Sequence, residues 1–123
     1  MVATESLSGL YWVAILAALV TGVIHLYLGV SFFPSGMGIS FLLAGLGFLG
    51  AIVLVLIDYR RQLVITIGIP YVIVQIVLWY LLNFAMGPKA FPADVGTIGL
   101  VDKITQVALL TLLVALRQVE LSR

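Results

Sequence analysis

The sequence predicts an all-α protein, a bundle of four membrane-spanning helices with both termini on the cytoplasmic side. Of its 123 residues, 63% are hydrophobic and 9% are charged, whereas soluble domains carry about 25% charged residues. The chain divides into four apolar runs, each long enough to cross a hydrocarbon core about 30 Å thick. Its Arg and Lys residues are distributed unevenly between the two ends of these runs, and this bias predicts the orientation.

The first predicted span covers residues 10–32. The segment before it, MVATESLSGL, contains Glu5 and no Lys or Arg, so it lacks the positive region of a cleaved signal peptide. We therefore expect this span to be retained. Ala14, Ala18 and Gly22 lie on one face of the helix and would allow a neighbouring helix to approach closely.

The second predicted span, residues 38–57, follows the uncharged turn FPSG and is rich in small residues. Those that recur at helical spacing predict a packing groove, and they are Gly36, Ser40, Ala44, Gly47 and Ala51. No strand precedes GLGFLG, so these glycines do not indicate a nucleotide site. The third predicted span, residues 63–84, contains Pro70, which predicts a kink because proline lacks the backbone N–H.

The fourth predicted span covers residues 96–116 and follows the longer loop AMGPKAFPADVG. Cationic residues are enriched on the cytoplasmic side of membrane proteins. One side of this bundle would carry Arg60, Arg61, Arg117 and Arg123, and the other Lys89 and Lys103. We therefore expect one integral membrane domain over residues 1–123, placed in the plasma membrane with both termini in the cytoplasm.

Polar residues inside the spans predict a polar seam in the outer half of the bundle. At a rise of about 1.5 Å per residue, in antiparallel neighbours, they reach similar depths. The predicted seam consists of His25, Asp102, Gln75, Gln106, Trp79, Thr21 and Asn83. An unpaired carboxylate in the middle of a membrane costs about 2.5–3.5 kcal/mol. Asp102 therefore needs a partner, and the candidates are His25 and Lys103.

The seam has four interpretations. It could be a hydrogen-bond network that fixes helix register, or a path for protons or ions, which intramembrane ionisable residues often mark. It could also bind haem or quinone with His25 as a ligand, and haem held by two histidines would then need a second copy or a partner protein. The fourth interpretation is an unidentified ligand or an enzyme activity.

Several classes of function are not predicted. The sequence has no cysteine, and we find no nucleophile–base pair, no clustered carboxylates and no metal-ligand spacing. We therefore expect neither catalysis nor a metal site. The net charge is +1 without a basic block, so no nucleic acid partner is expected.

At TGVIHLYLGV, FLLAGLGFLG, GIPYVIVQIVLWY and GLVDKITQVALL, the chain resembles small four-span membrane proteins of unassigned function from halophilic archaea. The resemblance extends over most of the chain. It implies a four-helix fold and an archaeal-type plasma membrane, and it implies no activity. Multidrug exporters of similar size differ, because they place a glutamate in the first span where this chain has Thr21 and His25.

We expect a non-catalytic membrane component that works by association, as an accessory subunit or a small homo-oligomer. The small-residue faces of the first two spans give more packing surface than a four-helix monomer needs. The expected partners are membrane lipid and either further copies or a larger membrane complex. The alternatives are a proton- or ion-coupled transporter or channel that uses His25 and Asp102, and a redox subunit that binds haem or quinone at His25. No other cofactor is expected.

Overall fold

The computed structural model describes residues 7–122, and within this range the chain forms four long helices joined by short loops. The helices are α1 (Gly9–Phe32), α2 (Gly36–Leu56), α3 (Arg61–Tyr80) and α4 (Thr97–Leu121), and a π-helical turn, Leu81–Ala85, extends α3. Each helix, α3 together with its π turn, is long and apolar enough to cross a membrane. The predicted all-α, four-helix architecture is confirmed. The orientation of the termini stays a prediction.

The helix ends show which local signals act in this chain. α2 begins at Gly36 because the Ser35 side chain caps it, accepting a hydrogen bond from the Gly38 N–H at 3.1 Å. α4 continues to Leu121, beyond the predicted end of the span at residue 116. Charged residues end an apolar run without ending a helix, because Arg and Glu are themselves good helix formers. Pro70 lies inside α3 and does not terminate it.

The bundle is built around α1 and is open on one side. α1 packs extensively against α2 and also against α4, while α3 packs against α4. α2 and α3 contact each other little. The end of the bundle that holds the two chain termini has an apolar core, with Tyr11, Ile65 and Leu116 each at most 2% exposed. The open side between α2 and α3 is therefore a part of the fold that a ligand could enter.

α1 and α2 meet closely at several glycines, among them Gly22, Gly29 and Gly45. A Cβ atom on Gly45 would lie 2.9 Å from the Gly22 carbonyl oxygen and 2.8 Å from Cγ of Leu26. Side chains do not approach backbone atoms this closely, so the contact requires glycine. Ala14 and Ala18, which share the predicted packing face of α1 with Gly22, are also buried.

The small-residue groove predicted on α2 is not the surface that meets α1. Gly36, Ser40 and Gly47 are exposed, and Ala44 and Ala51 are half-buried. α2 instead buries Gly38, Gly45, Phe48 and Val55. α2 has small residues around most of its circumference, so the pattern alone could not show which face would fit α1.

Candidate functional site

Four residues of the predicted seam meet between α1 and α4. Thr21 and His25 lie one turn apart on α1, and Asp102 and Gln106 lie one turn apart on α4. Each helix thus presents two polar side chains on one face. All four residues are buried, with exposed fractions between 0% and 4%. Polar groups this deep require hydrogen-bond partners.

The Asp102 carboxylate has a partner on each oxygen. Oδ1 accepts a hydrogen bond from the Thr21 hydroxyl at 2.5 Å, and Oδ2 accepts one from the Lys103 ammonium at 2.6 Å. Nδ1 of His25 lies 3.8 Å from Oδ1, beyond hydrogen-bonding distance. Of the two partners considered from the sequence, Lys103 makes the close ion pair with Asp102. His25 is a neighbour of that pair.

The His25 ring has a defined hydrogen-bonding pattern. Its Nδ1 lies 2.8 Å from the backbone carbonyl oxygen of Thr21. A carbonyl can only accept, so Nδ1 carries a hydrogen and, in the neutral ring, Nε2 carries the lone pair. The rings of Phe41 and Phe48 flank the imidazole, each with its centroid 5.8 Å away. Within residues 7–122, no side chain or carbonyl hydrogen-bonds to Nε2.

A chain of amides extends the cluster from α4 to α3. Lys103 Nζ donates to Gln106 Oε1 at 2.8 Å, and Gln106 Nε2 donates to Gln75 Oε1 at 3.0 Å. Because an ammonium group only donates, the orientation of both amides follows from Lys103. The network therefore links α1, α4 and α3, and it ends at Gln75, whose buried Nε2 has no hydrogen-bond partner among the described residues.

The last two predicted seam residues lie beside this network. The Lys103 ammonium lies 5.5 Å from the centroid of the Trp79 ring, a cation–π contact. The Asn83 side chain donates to the Trp79 carbonyl at 2.9 Å and makes no hydrogen bond to Asp102 or His25. Asn83 lies in the π turn that extends α3. The hydrogen-bonded cluster is thus Thr21, His25, Asp102, Lys103, Gln106 and Gln75, and we call it the polar cluster.

A cleft of about 670 Å³ adjoins the polar cluster, between the separated helices α2 and α3. Residues with polar side chains that line it are His25, Tyr71, Gln75, Trp79, Asn83, Asp102, Lys103 and, on α2, Ser40. The other walls are predominantly apolar, with Leu43, Val74 and Leu78 among the lining residues. The cleft therefore combines an apolar path with a polar end.

Tyr71 bridges the two sides of the opening. Its hydroxyl donates to the Ala44 carbonyl of α2 at 2.9 Å, and its ring meets Phe48 edge-on, with the centroids 5.2 Å apart. Gly47 leaves room for this hydroxyl, because a Cβ there would collide with it. The polar seam predicted from the sequence did not include Tyr71. The signal was the tyrosine one turn before Gln75, opposite a helix rich in small residues.

The ligand chemistry of the site is limited. Among residues 7–122, no three His, Cys, Asp or Glu side chains lie together in a group that could hold a metal ion. His25 is the only histidine in the sequence. It could serve as one ligand of a haem or as a hydrogen-bond partner of a quinone.

The comparisons with known proteins identify a family and no activity. A model described as a family of unknown function, DUF7475, matches residues 1–117. The chain belongs to DUF7475. No curated protein and no solved structure matches it. With its four apolar helices, this DUF7475 member is a small membrane protein. The archaeal origin and the plasma membrane stay predictions.

Proposed function

We propose that the protein is a non-catalytic membrane protein that binds an amphipathic molecule in the cleft between α2 and α3. The observation that carries this proposal is a space of about 670 Å³ with apolar walls and a buried polar cluster at one side. Small-molecule sites in proteins typically enclose about 300–1,000 Å³ and combine apolar walls with a few converging polar groups. The cleft has both properties.

The position of the cleft supports uptake from the bilayer. Because α2 and α3 separate, the cleft has a side opening toward lipid. Leu43, Ile67 and Leu78 line it and remain 65%, 55% and 47% exposed. A molecule dissolved in lipid could reach the polar cluster without crossing water. The apolar walls would admit many such molecules, so the polar cluster would supply the selectivity.

The test is gentle extraction from native membranes, followed by mass measurement of the intact protein and of every molecule bound to it. Ser40→Trp adds a large ring to the cleft from an exposed position of α2. Val53→Trp places the same ring on an exposed position that does not line the cleft. We expect a discrete small molecule on the wild type and on Val53→Trp, and its loss from Ser40→Trp. The same lipids in the same amounts on all three proteins would contradict the proposal.

A second candidate function is association, which the sequence led us to expect from the small-residue faces of the first two spans. The surface proposed here lies on α2. Gly36 and Gly50 are exposed, and a Cβ on either would meet no atom within 4 Å. Small residues on a lipid-facing helix surface are typical of contacts between transmembrane helices. The protein would then be an accessory subunit or a homo-oligomer. Neither glycine lines the cleft, so this function can be tested separately.

For the association function, we expect Gly36→Leu and Gly50→Leu to reduce the fraction of a complex measured by crosslinking in native membranes. Val13→Leu, on an exposed part of α1, should leave that fraction unchanged. A wild-type protein that remains a dispersed monomer would exclude this candidate.

The transport and redox alternatives find less support in the geometry. A proton path would need polar groups on both sides of the polar cluster, whereas Phe48, Val72 and Leu109 make the inner core apolar. Vesicles loaded with a pH dye test transport, which would require a flux lost in His25→Ala. A haem subunit would show a Soret band that disappears in the same variant. A quinone would appear in the mass measurement of bound molecules.

A further inference from the structure

We infer that the cleft selects a neutral amphiphile whose polar end carries a hydroxyl group, and that Nε2 of His25 accepts the hydrogen bond from this hydroxyl. The inference rests on the proposed binding function and names the chemical class of its ligand. Three properties of the polar cluster lead to it: its charge balance, its open acceptor and its remaining donors.

The charge balance of the cleft favours a neutral ligand. Asp102 and Lys103 are the only Asp, Glu, Lys or Arg residues among the described residues that line it. They neutralise each other at 2.6 Å, with side chains 5% and 13% exposed. A carboxylate or ammonium on the ligand would lose its hydration without finding an uncompensated opposite charge, which is unfavourable in a low-dielectric site.

The open acceptor requires a donor on the ligand. His25 uses Nδ1–H on the Thr21 carbonyl, which leaves the lone pair of Nε2 as the ring's remaining hydrogen-bonding position. Thr21 also uses its hydroxyl hydrogen on Asp102, so it cannot turn that donor toward the ring. A hydroxyl of the ligand can donate to Nε2, whereas an ether or ester oxygen can only accept.

Remaining donors complete the match to a hydroxyl: Nε2 of Gln75, which has no hydrogen-bond partner among the described residues, and the ammonium of Lys103. The Lys103 ammonium has three hydrogens, and it donates to Asp102 and Gln106. The third is available for the Trp79 ring or for the oxygen of a ligand. A ligand hydroxyl that donates to His25 could thus accept from Lys103 or from Gln75, which also line the cleft. The rest of the ligand would lie along Leu43, Val74 and Leu78.

The experiment compares matched probes on the intact protein in phosphatidylcholine nanodiscs, whose lipid carries no hydroxyl donor. The probes are 1-hexadecanol, hexadecyl methyl ether, palmitate and hexadecane, with dipalmitoylglycerol as a second hydroxyl-bearing lipid. Bound probe per protein is measured by mass spectrometry over a titration. We expect each hydroxyl-bearing probe to bind about five- to tenfold more tightly than the methyl ether, the worth of one neutral hydrogen bond.

Variants of His25 assign the acceptor. His25→Phe should remove the preference for hexadecanol over the methyl ether, whereas His25→Gln, which offers an amide oxygen, should retain part of it. If His25→Phe does not fold, the wild-type probe series still decides the ligand class, and His25→Gln decides the residue. Comparing the binding of dipalmitoylglycerol with that of hexadecanol shows whether the hydroxyl comes from a two-chain neutral lipid or from a simple long-chain alcohol.

The outcomes separate the inference from the function on which it rests. Equal binding of hexadecanol and its methyl ether, or tighter binding of palmitate, would overturn the inference and leave a ligand-binding cleft. An unchanged hydroxyl preference in His25→Phe would overturn the role of Nε2. If no probe binds the wild type more than Ser40→Trp, both the inference and the proposed function fail.

Discussion

The buried ion pair of α4 allows a quantitative prediction about stability. The carboxylate of Asp102 and the ammonium of Lys103 are joined at 2.6 Å, with side chains 5% and 13% exposed. Asp102→Asn would leave the ammonium without its counter-ion inside the bundle. Lys103→Met would leave the carboxylate with the Thr21 hydroxyl as its remaining hydrogen-bond donor. Changing both residues removes both charges.

The expected magnitudes follow from the cost of an unpaired buried charge. Removing one partner of a buried pair costs about 3–5 kcal/mol in soluble proteins, and an isolated charge costs about 2.5–3.5 kcal/mol at the centre of a membrane helix. Two features reduce the cost of Asp102→Asn. Lys103 is partly exposed, so its ammonium can extend toward water, and the asparagine amide oxygen still accepts a hydrogen bond. We therefore expect each single change to lower the free energy of unfolding by about 2 kcal/mol. The double change should cost about 1 kcal/mol, giving a coupling of about 3 kcal/mol.

The assay is reversible unfolding of the four proteins in mixed micelles, followed by circular dichroism at neutral pH. Lys89→Met serves as the control, because Lys89 is exposed outside the helices and its loss should leave stability unchanged. Additive effects of the two single substitutions would refute the reasoning. They would mean that water or lipid headgroups already compensate the charge of Lys103.

Three further predictions concern packing and hydrogen bonds. Gly45→Ala should lower the free energy of unfolding by about 1–3 kcal/mol by overpacking. Gly50→Ala, with no atom within 4 Å of its Cβ, should instead raise it by up to about 1 kcal/mol, because alanine is the better helix former. Equal denaturant curves for the two variants would contradict the close helix contact. Tyr71→Phe removes the hydrogen bond to α2 and should lower the free energy of unfolding by about 1 kcal/mol. It should also speed the hydrogen exchange of neighbouring amides in α2. Unchanged exchange would contradict the bridge. Arg61→Ala removes a buried hydrogen-bond donor to the Val55 carbonyl near the end of α2 and should lower the midpoint of thermal unfolding. Arg60→Ala, at an exposed position, should leave this midpoint unchanged. Equal midpoints for the two variants would show that the hydrogen bond to Val55 does not stabilise the fold.

Much of the polar cluster follows from the sequence, because helix geometry fixes depth. A constant rise per residue places each polar group at a defined level once the apolar runs are recognised. Thr21 and Asp102 therefore fall close enough in depth to meet. Gln106 and Gln75 likewise fall near the same level. The depth of a residue does not determine which partner its side chain contacts. Asp102 pairs with Lys103 because the flexible lysine side chain folds back toward the carboxylate.

By itself, the sequence determined the helices and the depth of their polar residues, because run length and apolar content are local properties. Only the tertiary structure decided which side of each helix faces its neighbours. In lipid, apolar faces gain nothing by leaving the solvent, so hydropathy does not mark the buried side. Shape decided that Gly45 rather than Gly47 meets α1. The same fit of α1 to both α2 and α4 leaves α2 and α3 apart, and this separation creates the cleft.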